Sequence, residues 1–407
     1  MTKDEKQLII HNEILKLNVR AYLEACTGFG KTRIAINIIK ECLLRNPKRT
    51  IHVVVPTKPL ASSWTKKKTG HIDKHKLKNV QVFVVNTYVK EPRECDLLIA
   101  DECHRYSNDS AYLFRKVVGE TQYKFFLGLS ATLEGHHKVF LESKNIFSAG
   151  KVTLEEAKRE GWVSDYEILN LALDLTEEDR NAYKKMHEGF NKNFAYFGHD
   201  FDVAMKCLVD RSYRESYARN LDGITPEELF IKVLNWRRNM EARKTFLYNT
   251  ISKIEASKKI IDSFNDKHLI CFSESASFAD SLSEKLGDVA VTYHSKNSIK
   301  NNKLNMKKFI DMRTKVYAMI AVRALDEGVD IPTIDLGLIA SRTSKQLQNI
   351  QRAGRALRQL PGKKAFIINL YIKETQDEVW LKKSTKGMTC LWFDDIDNVI
   401  NYVKNNS

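Results

Sequence analysis

Ala25-Cys26-Thr27-Gly28-Phe29-Gly30-Lys31-Thr32 follows the apolar run Ala21-Tyr22-Leu23 and leads into Arg33-Ile34-Ala35-Ile36-Asn37-Ile38-Ile39, a stretch of helical character. Strand, glycine-rich turn and helix in that order form the setting a phosphate-binding loop requires. Gly28 and Gly30 let backbone N–H groups turn inward around phosphate oxygens, and the helix N-terminus adds partial positive charge. Lys31 is placed to reach the β- and γ-phosphates of a nucleotide, and the Thr32 hydroxyl to help hold Mg²⁺. Ala25 stands where such loops usually carry their first glycine, so these eight residues alone leave an ordinary strand-to-helix turn open.

Downstream, Leu97-Leu98-Ile99-Ala100 runs straight into Asp101-Glu102-Cys103-His104. A buried strand that ends in two carboxylates puts them at the carboxyl edge of a parallel sheet, where α/β proteins bind their ligands. There Asp101 would hold Mg²⁺ and Glu102 would orient and deprotonate an attacking water. The next strand ends in Ser130-Ala131-Thr132, whose small side chains can bond the carboxylate segment and couple it to the rest of the site. Far downstream, Gln351-Arg352-Ala353-Gly354-Arg355-Ala356-Leu357-Arg358 sets Arg355 and Arg358 three residues apart on one helix face. Arginines brought to a γ-phosphate from a second domain supply charge stabilisation. A solvated basic helix would read the same way if it stood alone.

Strand signals fall at 51–56, 80–85, 96–100 and 124–129, besides the strand before the loop, and again at 268–272, 289–294, 316–322, 336–340 and 365–371. Strands alternating with helical stretches predict parallel sheets covered on both faces. Two such sets give two α/β domains, expected at 1–173 and 259–407. Between them, 174–258 reads as a helical insertion. Its first helix is announced by Thr176 before Glu177, Glu178 and Asp179, and a later one by Thr225-Pro226-Glu227-Glu228. The aromatic and basic residues in between, from Tyr183 to Trp236, Arg237, Arg238 and Arg243, suit either a small core or a nucleic-acid surface.

The formal charge of +15 across 407 residues points to a polyanionic partner, above all nucleic acid. The densest run, Lys66-Lys67-Lys68 followed by His71, Lys74, His75, Lys76 and Lys78, has scarcely an acid in it. Seven scattered cysteines without a C-x-x-C pair argue against a zinc site or disulfide framework. With no signal-peptide core and no long apolar run, the expectation is an intracellular protein with no membrane partner.

In motif order, the chain resembles a superfamily 2 helicase or translocase. Motif I is residues 25–32, motif Ia resembles Pro56-Thr57-Lys58-Pro59-Leu60, and the next nucleic-acid motif resembles Val85-Asn86-Thr87-Tyr88. Asp101-Glu102-Cys103-His104 is a D-E-x-H motif II, and Ser130-Ala131-Thr132 is motif III. Motif IV resembles Ile270-Cys271-Phe272-Ser273, motif V residues 324–332, and motif VI residues 351–358. The stretch 157–164, followed by Leu175-Thr176-Glu177-Glu178, is similar to the branch holding XPB, phage UvsW and the motor subunits of restriction enzymes, which acts mainly on DNA.

This resemblance implies two RecA-like domains in tandem with ATP and Mg²⁺ as cofactors. Gln7, Thr27, Gly28, Phe29, Gly30, Lys31, Thr32, Gly328 and Asp330 would bind nucleotide, and Thr32 and Asp101 the metal. Lys31, Asp101, Glu102, Gln351, Arg355 and Arg358 would be catalytic, with Ser130, Ala131 and Thr132 in a coupling role. Thr57, Lys58, Lys66, Lys67, Lys68, Asn86, Thr87, Ser273 and Thr292 would meet nucleic acid, DNA rather than RNA and branched or forked. A phage-encoded monomer fits the pattern. The aromatic that usually precedes the glutamine is replaced by Asp4-Glu5-Lys6, which bears on adenine selectivity. A D-E-x-H RNA helicase and an ATP-gated binding module that never travels are the alternatives.

Overall fold

Runs of apolar and β-branched residues form two parallel sheets, each the centre of one compact unit. In the computed structural model the described residues are 1–26, 28–91, 93–106, 112–131, 133, 135–162, 166–322, 334–341, 365–386 and 388–407. The first sheet has six strands: β1 (Arg20–Ala25), β2 (Ile51–Val55), β3 (Val80–Val84), β4 (Glu94–Ala100), β5 (Gln122–Ser130) and β6 (Phe147–Val152). Their order is β3-β2-β4-β5-β1-β6, and every pairing is parallel. All five residues of β2 are buried, as are the last four of β4 and the last five of β5. Such continuous burial is what a sheet covered on both faces demands.

Register places the site. Glu24 lies opposite Ser130, Ala100 opposite Gly128, Val54 opposite Ala100 and Val55 opposite Val84. The ends of β1, β4, β5, β2 and β3 therefore share one carboxyl edge. Helix α1 (Lys3–Lys16) precedes β1, and on that edge the chain passes through the glycine loop into α2 (Lys31–Arg45). Helix α3 (Lys58–Thr65) follows β2 and the short α4 (His71–Lys74) follows α3.

The second sheet contains β7 (Tyr166–Leu173), β8 (Leu269–Ser273), β9 (Ala290–Tyr293), β10 (Ala318–Val322), β11 (Leu336–Ile339), β12 (Ala365–Ile372) and β13 (Cys390–Phe393), in the order β13-β7-β12-β11-β8-β10-β9. The expected boundary at residue 173 therefore moves. β7 pairs with β13 and neighbours β12, so it belongs to the second sheet, and the leading segment of the first unit runs from Met1 to Tyr166. A buried amide pair helps fix it there, with Asn369 Nδ2 donating to Asn170 Oδ1 at 2.8 Å.

Four helices, Glu177–Phe194, Phe201–Val209, Arg211–Ala218 and Pro226–Tyr248, make up the insertion. They surround a core of their own, in which fully buried Trp236 stacks on Phe194 with centroids 5.5 Å apart and meets Phe201 edge-on at 5.4 Å. Arg243 is interior as well. Its guanidinium lies 4.1 Å from the Phe190 ring centroid, and Nη1 is 2.8 Å from His187 Nδ1. The helix Ile251–Asp262, expected within the insertion, packs its Ile254, Ile260 and Ile261 into the second sheet's core instead.

Candidate active site

β1 delivers the chain to the loop in an extended conformation, and two glycines then reverse it. Gly28 has φ 86° and Gly30 φ 104°, values that an L side chain rarely adopts. At Gly30 space is lacking too, because a Cβ there would sit 2.3 Å from Gln7 Nε2. Gln7, 6 % exposed on α1, donates its amide to the Phe29 carbonyl at 2.6 Å, and Lys3 Nζ donates to the Gly28 carbonyl at 2.7 Å. Phe29 is fully buried against Trp162, with ring centroids 5.7 Å apart. The loop is thus held from outside by α1 and from beneath by an aromatic pair. Thr27 lies outside the described residues, and Thr32 is half-buried in the first turn of α2.

Lys31 opens α2 and points back across the loop mouth. Its ammonium donates to the Ala25 carbonyl at 2.9 Å and stands 3.6 Å from Glu102 Oε1, with only 7 % of the residue exposed. Burying that charge is costly, and the facing carboxylate offsets part of the cost. Glu102 itself is in the left-handed region (φ 49°, ψ 43°), an uncommon setting for a non-glycine residue, and it turns the chain sharply after β4. His104 Nδ1 lies 3.6 Å from Glu102 Oε2 and 3.0 Å from Ser130 Oγ. One imidazole therefore links the carboxylate to the end of the neighbouring strand. Ala131 is half-buried beside Ser130, while Thr132 lies outside the described residues.

Three further residues shape the site without standing out in the sequence. Trp64 on α3 donates its indole N–H to Asp101 Oδ2 at 3.3 Å. The Tyr106 hydroxyl, fully buried, bonds the Val54 carbonyl and lies 3.0 Å from the Asp101 carbonyl, which fastens the turn after β4 to β2. Burial pushes that phenol well above its ordinary pKa, so it stays a donor. Glu24, on β1 and 5 % exposed, accepts from Leu133 N–H at 3.0 Å and from Lys138 Nζ at 2.6 Å, tying the segment after Ser130 to the strand that feeds the loop. Lys138 is correspondingly held above the usual lysine value by this hydrogen bond. Beside them, burial pushes the Cys26 thiol up to about 11, which keeps it a neutral lining group.

Inward-turned loop, buried ammonium and two buried carboxylates on one sheet edge suit a nucleoside triphosphate with a divalent cation. The donor set is oxygen only, as Mg²⁺ prefers. Of the expected nucleic-acid residues, Asn86, Thr87, Lys66, Lys67 and Lys68 are exposed, and the Thr57 hydroxyl is buried without a hydrogen-bond partner among the described residues. Ser273 and Thr292 lie in the second unit and are engaged locally. Ser273, 3 % exposed, has its Oγ 3.1 Å from Ser341 Oγ, and Thr292 Oγ1 accepts from Asn297 Nδ2 at 3.1 Å. Gly328, Asp330, Gln351, Arg355 and Arg358 lie outside the described residues.

Comparison with known proteins gives two family matches, to the type III restriction enzyme res subunit over residues 3–91 and to the helicase conserved C-terminal domain over 252–359. A DNA 3'-5' translocase XPB2 of Sulfurisphaera tokodaii is 25% identical over 367 residues, 86% of this chain and 77% of that protein. A Methanocaldococcus jannaschii relative that carries an RNA-helicase name is 21% identical and matches 92% of this chain, which spans 59% of its length. Among solved structures, the Pyrococcus furiosus Hef helicase domain superposes with a TM-score of 0.58 at 17% identity, covering 93% of this chain and 97% of that one. A Saccharomyces cerevisiae Dbp5 variant bound to RNA and ADP–BeF3 gives 0.56 at 16% identity, over 97% of this chain and 92% of the other. The two parallel-sheet units match the tandem RecA-like fold of these helicases.

Proposed function

We propose that this chain, which belongs to superfamily 2 of the helicases and is related to XPB and the restriction-enzyme motor subunits, is an ATP-driven DNA translocase that remodels branched or duplex DNA. That it hydrolyses ATP and binds nucleic acid follows from the family. The observation that favours DNA is the XPB2 relative, a DNA translocase matched over most of both chains. In this reading the loop N–H groups and Lys31 anchor the phosphates, with Gln7 at the nucleotide's other end. Glu102 orients the attacking water and takes its proton. Thr32 and Asp101 would hold Mg²⁺, which supplies charge neutralisation at the β- and γ-phosphates. Ser130 and His104 relay the state of Glu102 to the neighbouring strand, and Arg355 and Arg358 stabilise the transferring phosphoryl group.

Thr57, Lys58, Asn86 and Thr87 follow the strands β2 and β3 at the same carboxyl edge, with the lysine turn 66–68 beyond α3. Contacts from such residues go to phosphate and sugar, so sequence preference should be low. An RNA substrate is the second reading, favoured by the RNA-helicase name of the archaeal relative. Steady-state ATPase rates with single-stranded, duplex and forked oligonucleotides, each as DNA and as RNA, separate the two. Greatest stimulation by forked or duplex DNA is expected. Equal or greater stimulation by RNA would overturn the DNA assignment. Displacement of a triplex strand or of streptavidin in the direction of travel distinguishes translocation from ATP-gated binding, which displaces nothing.

A further inference from the structure

Helix α3 brings a buried tryptophan and an exposed lysine turn together at its C-terminal end. Trp64, its seventh residue, is 1 % exposed and donates to Asp101 Oδ2. One residue after the helix ends, the chain enters Lys66, Lys67 and Lys68, all exposed. The turn carrying these lysines is folded hard against the tryptophan. Lys66 N–H donates to the Ser62 carbonyl at 2.8 Å and Gly70 N–H to the Lys66 carbonyl at 2.6 Å. A Cβ on Gly70 would lie 2.6 Å from Lys66 N and 2.8 Å from the Trp64 carbonyl, so only glycine closes the turn. Lys68, at φ 69°, donates its N–H to Asp73 Oδ2 at 2.9 Å, and His71 meets the indole edge-on with centroids 5.1 Å apart. At the other end of the helix stands the Thr57 hydroxyl, which has no hydrogen-bond partner among the described residues.

Hydrogen bonds and a ring contact join the lysine turn directly to the tryptophan segment, and the indole holds one oxygen of a carboxylate expected at the metal. We propose that Trp64 is a positioning residue that sets the Asp101 carboxylate according to whether the lysine turn grips a phosphate backbone. This rests on the reading, given above, of the turn as a nucleic-acid contact. The link makes the two ligands mutually dependent. Nucleic acid on the turn tightens metal–nucleotide binding at Asp101, and the reverse holds by the same factor.

The test uses the full chain and equilibrium binding, without turnover. The affinity for a non-hydrolysable ATP analogue with Mg²⁺ is measured with and without saturating single-stranded DNA. In the parent protein DNA should tighten the analogue by roughly 5- to 150-fold, the range usual for coupled sites. In Trp64→Phe, which keeps a ring but loses the donor, that factor should fall to about one while DNA affinity without nucleotide stays within about twofold. A parent-like factor in Trp64→Phe, or no coupling in the parent, overturns the link. Lys66→Ala/Lys67→Ala/Lys68→Ala tests the underlying reading separately, because undiminished DNA affinity there removes the turn from the nucleic-acid path. Should Trp64→Phe fail to fold, Asp73→Ala releases the Lys68 N–H at an exposed position and leaves the tryptophan in place. It should lower the coupling factor several-fold with DNA-free analogue affinity unchanged, and an unchanged factor would again count against the proposal.

Discussion

Lys31 and Glu102 face each other across 3.6 Å in a nearly closed site, yet their roles separate cleanly. In the proposed mechanism Lys31, which opens α2, would meet phosphate, whereas Glu102, on the turn after β4, would face the attacking water. Lys31→Ala should abolish binding of a fluorescent ATP analogue. Glu102→Gln should bind it normally and lose turnover by about 10²–10⁴, the usual worth of a general base. Normal hydrolysis by Glu102→Gln would take that residue out of the mechanism. These two, with Asp101 and Ser130, stand out in the bare sequence because Lys31 opens a helix after a glycine-rich turn and the other three stand at the ends of apolar strands, in a fixed order of short motifs. Trp64, Tyr106 and Glu24 do not. Their importance comes from partners far along the chain (Asp101, Val54 and Leu133), and no spacing along one strand or helix announces such contacts.

Among elements, the insertion shows how composition misleads. A run of aromatic and basic residues reads equally as a nucleic-acid surface or as a core, and here Phe190, Phe197 and Trp236 are core. Trp236→Ala should cost about 3–5 kcal/mol, the range for emptying a large aromatic site, seen as a lower midpoint in denaturant unfolding followed by circular dichroism. A surface role for Trp236 predicts no shift. Removing residues 188–222 would strip Trp236 of its packing partners, so that deletion reads folding before it reads substrate preference. Exposed Arg237 and Arg238 are the better probes of a duplex contact. The strands show a related limit. β2, with four β-branched residues in five, and β10, apolar throughout, are plain in the sequence. β6 has only three clearly apolar residues in Phe147-Ser148-Ala149-Gly150-Lys151-Val152, and β13 is a four-residue edge strand. β7 follows the residues of the first domain so closely that the chain alone gives no reason to send it to the other sheet.

The charge of +15 makes salt the most direct probe of the proposed nucleic-acid interface. Each phosphate contact contributes a slope of about −0.7 in log K against log salt on single strands. Replacing Lys66, Lys67 and Lys68 by Ala should therefore flatten the slope by about two units if all three touch phosphate. ATPase without nucleic acid should hardly change, since Lys31 and Glu102 are untouched, and an unaltered slope would mark the run as a solvated loop. Strand order carries a consequence of another kind, for the order in which the molecule can be made. Among the described residues β1 pairs only with β5 and β6, whose partner residues lie more than a hundred positions downstream, so the strand that feeds the glycine loop lacks its sheet until β6 has left the ribosome. β7 emerges soon after β6 but lies between β12 and β13, with some two hundred residues and the whole helical insertion in between. During synthesis it is a buried-type strand with both edges bare, the kind of segment that seeks other strands. The insertion, whose core is drawn entirely from its own helices, can fold during that wait, so the nascent second domain carries a finished bundle beside an unfinished sheet.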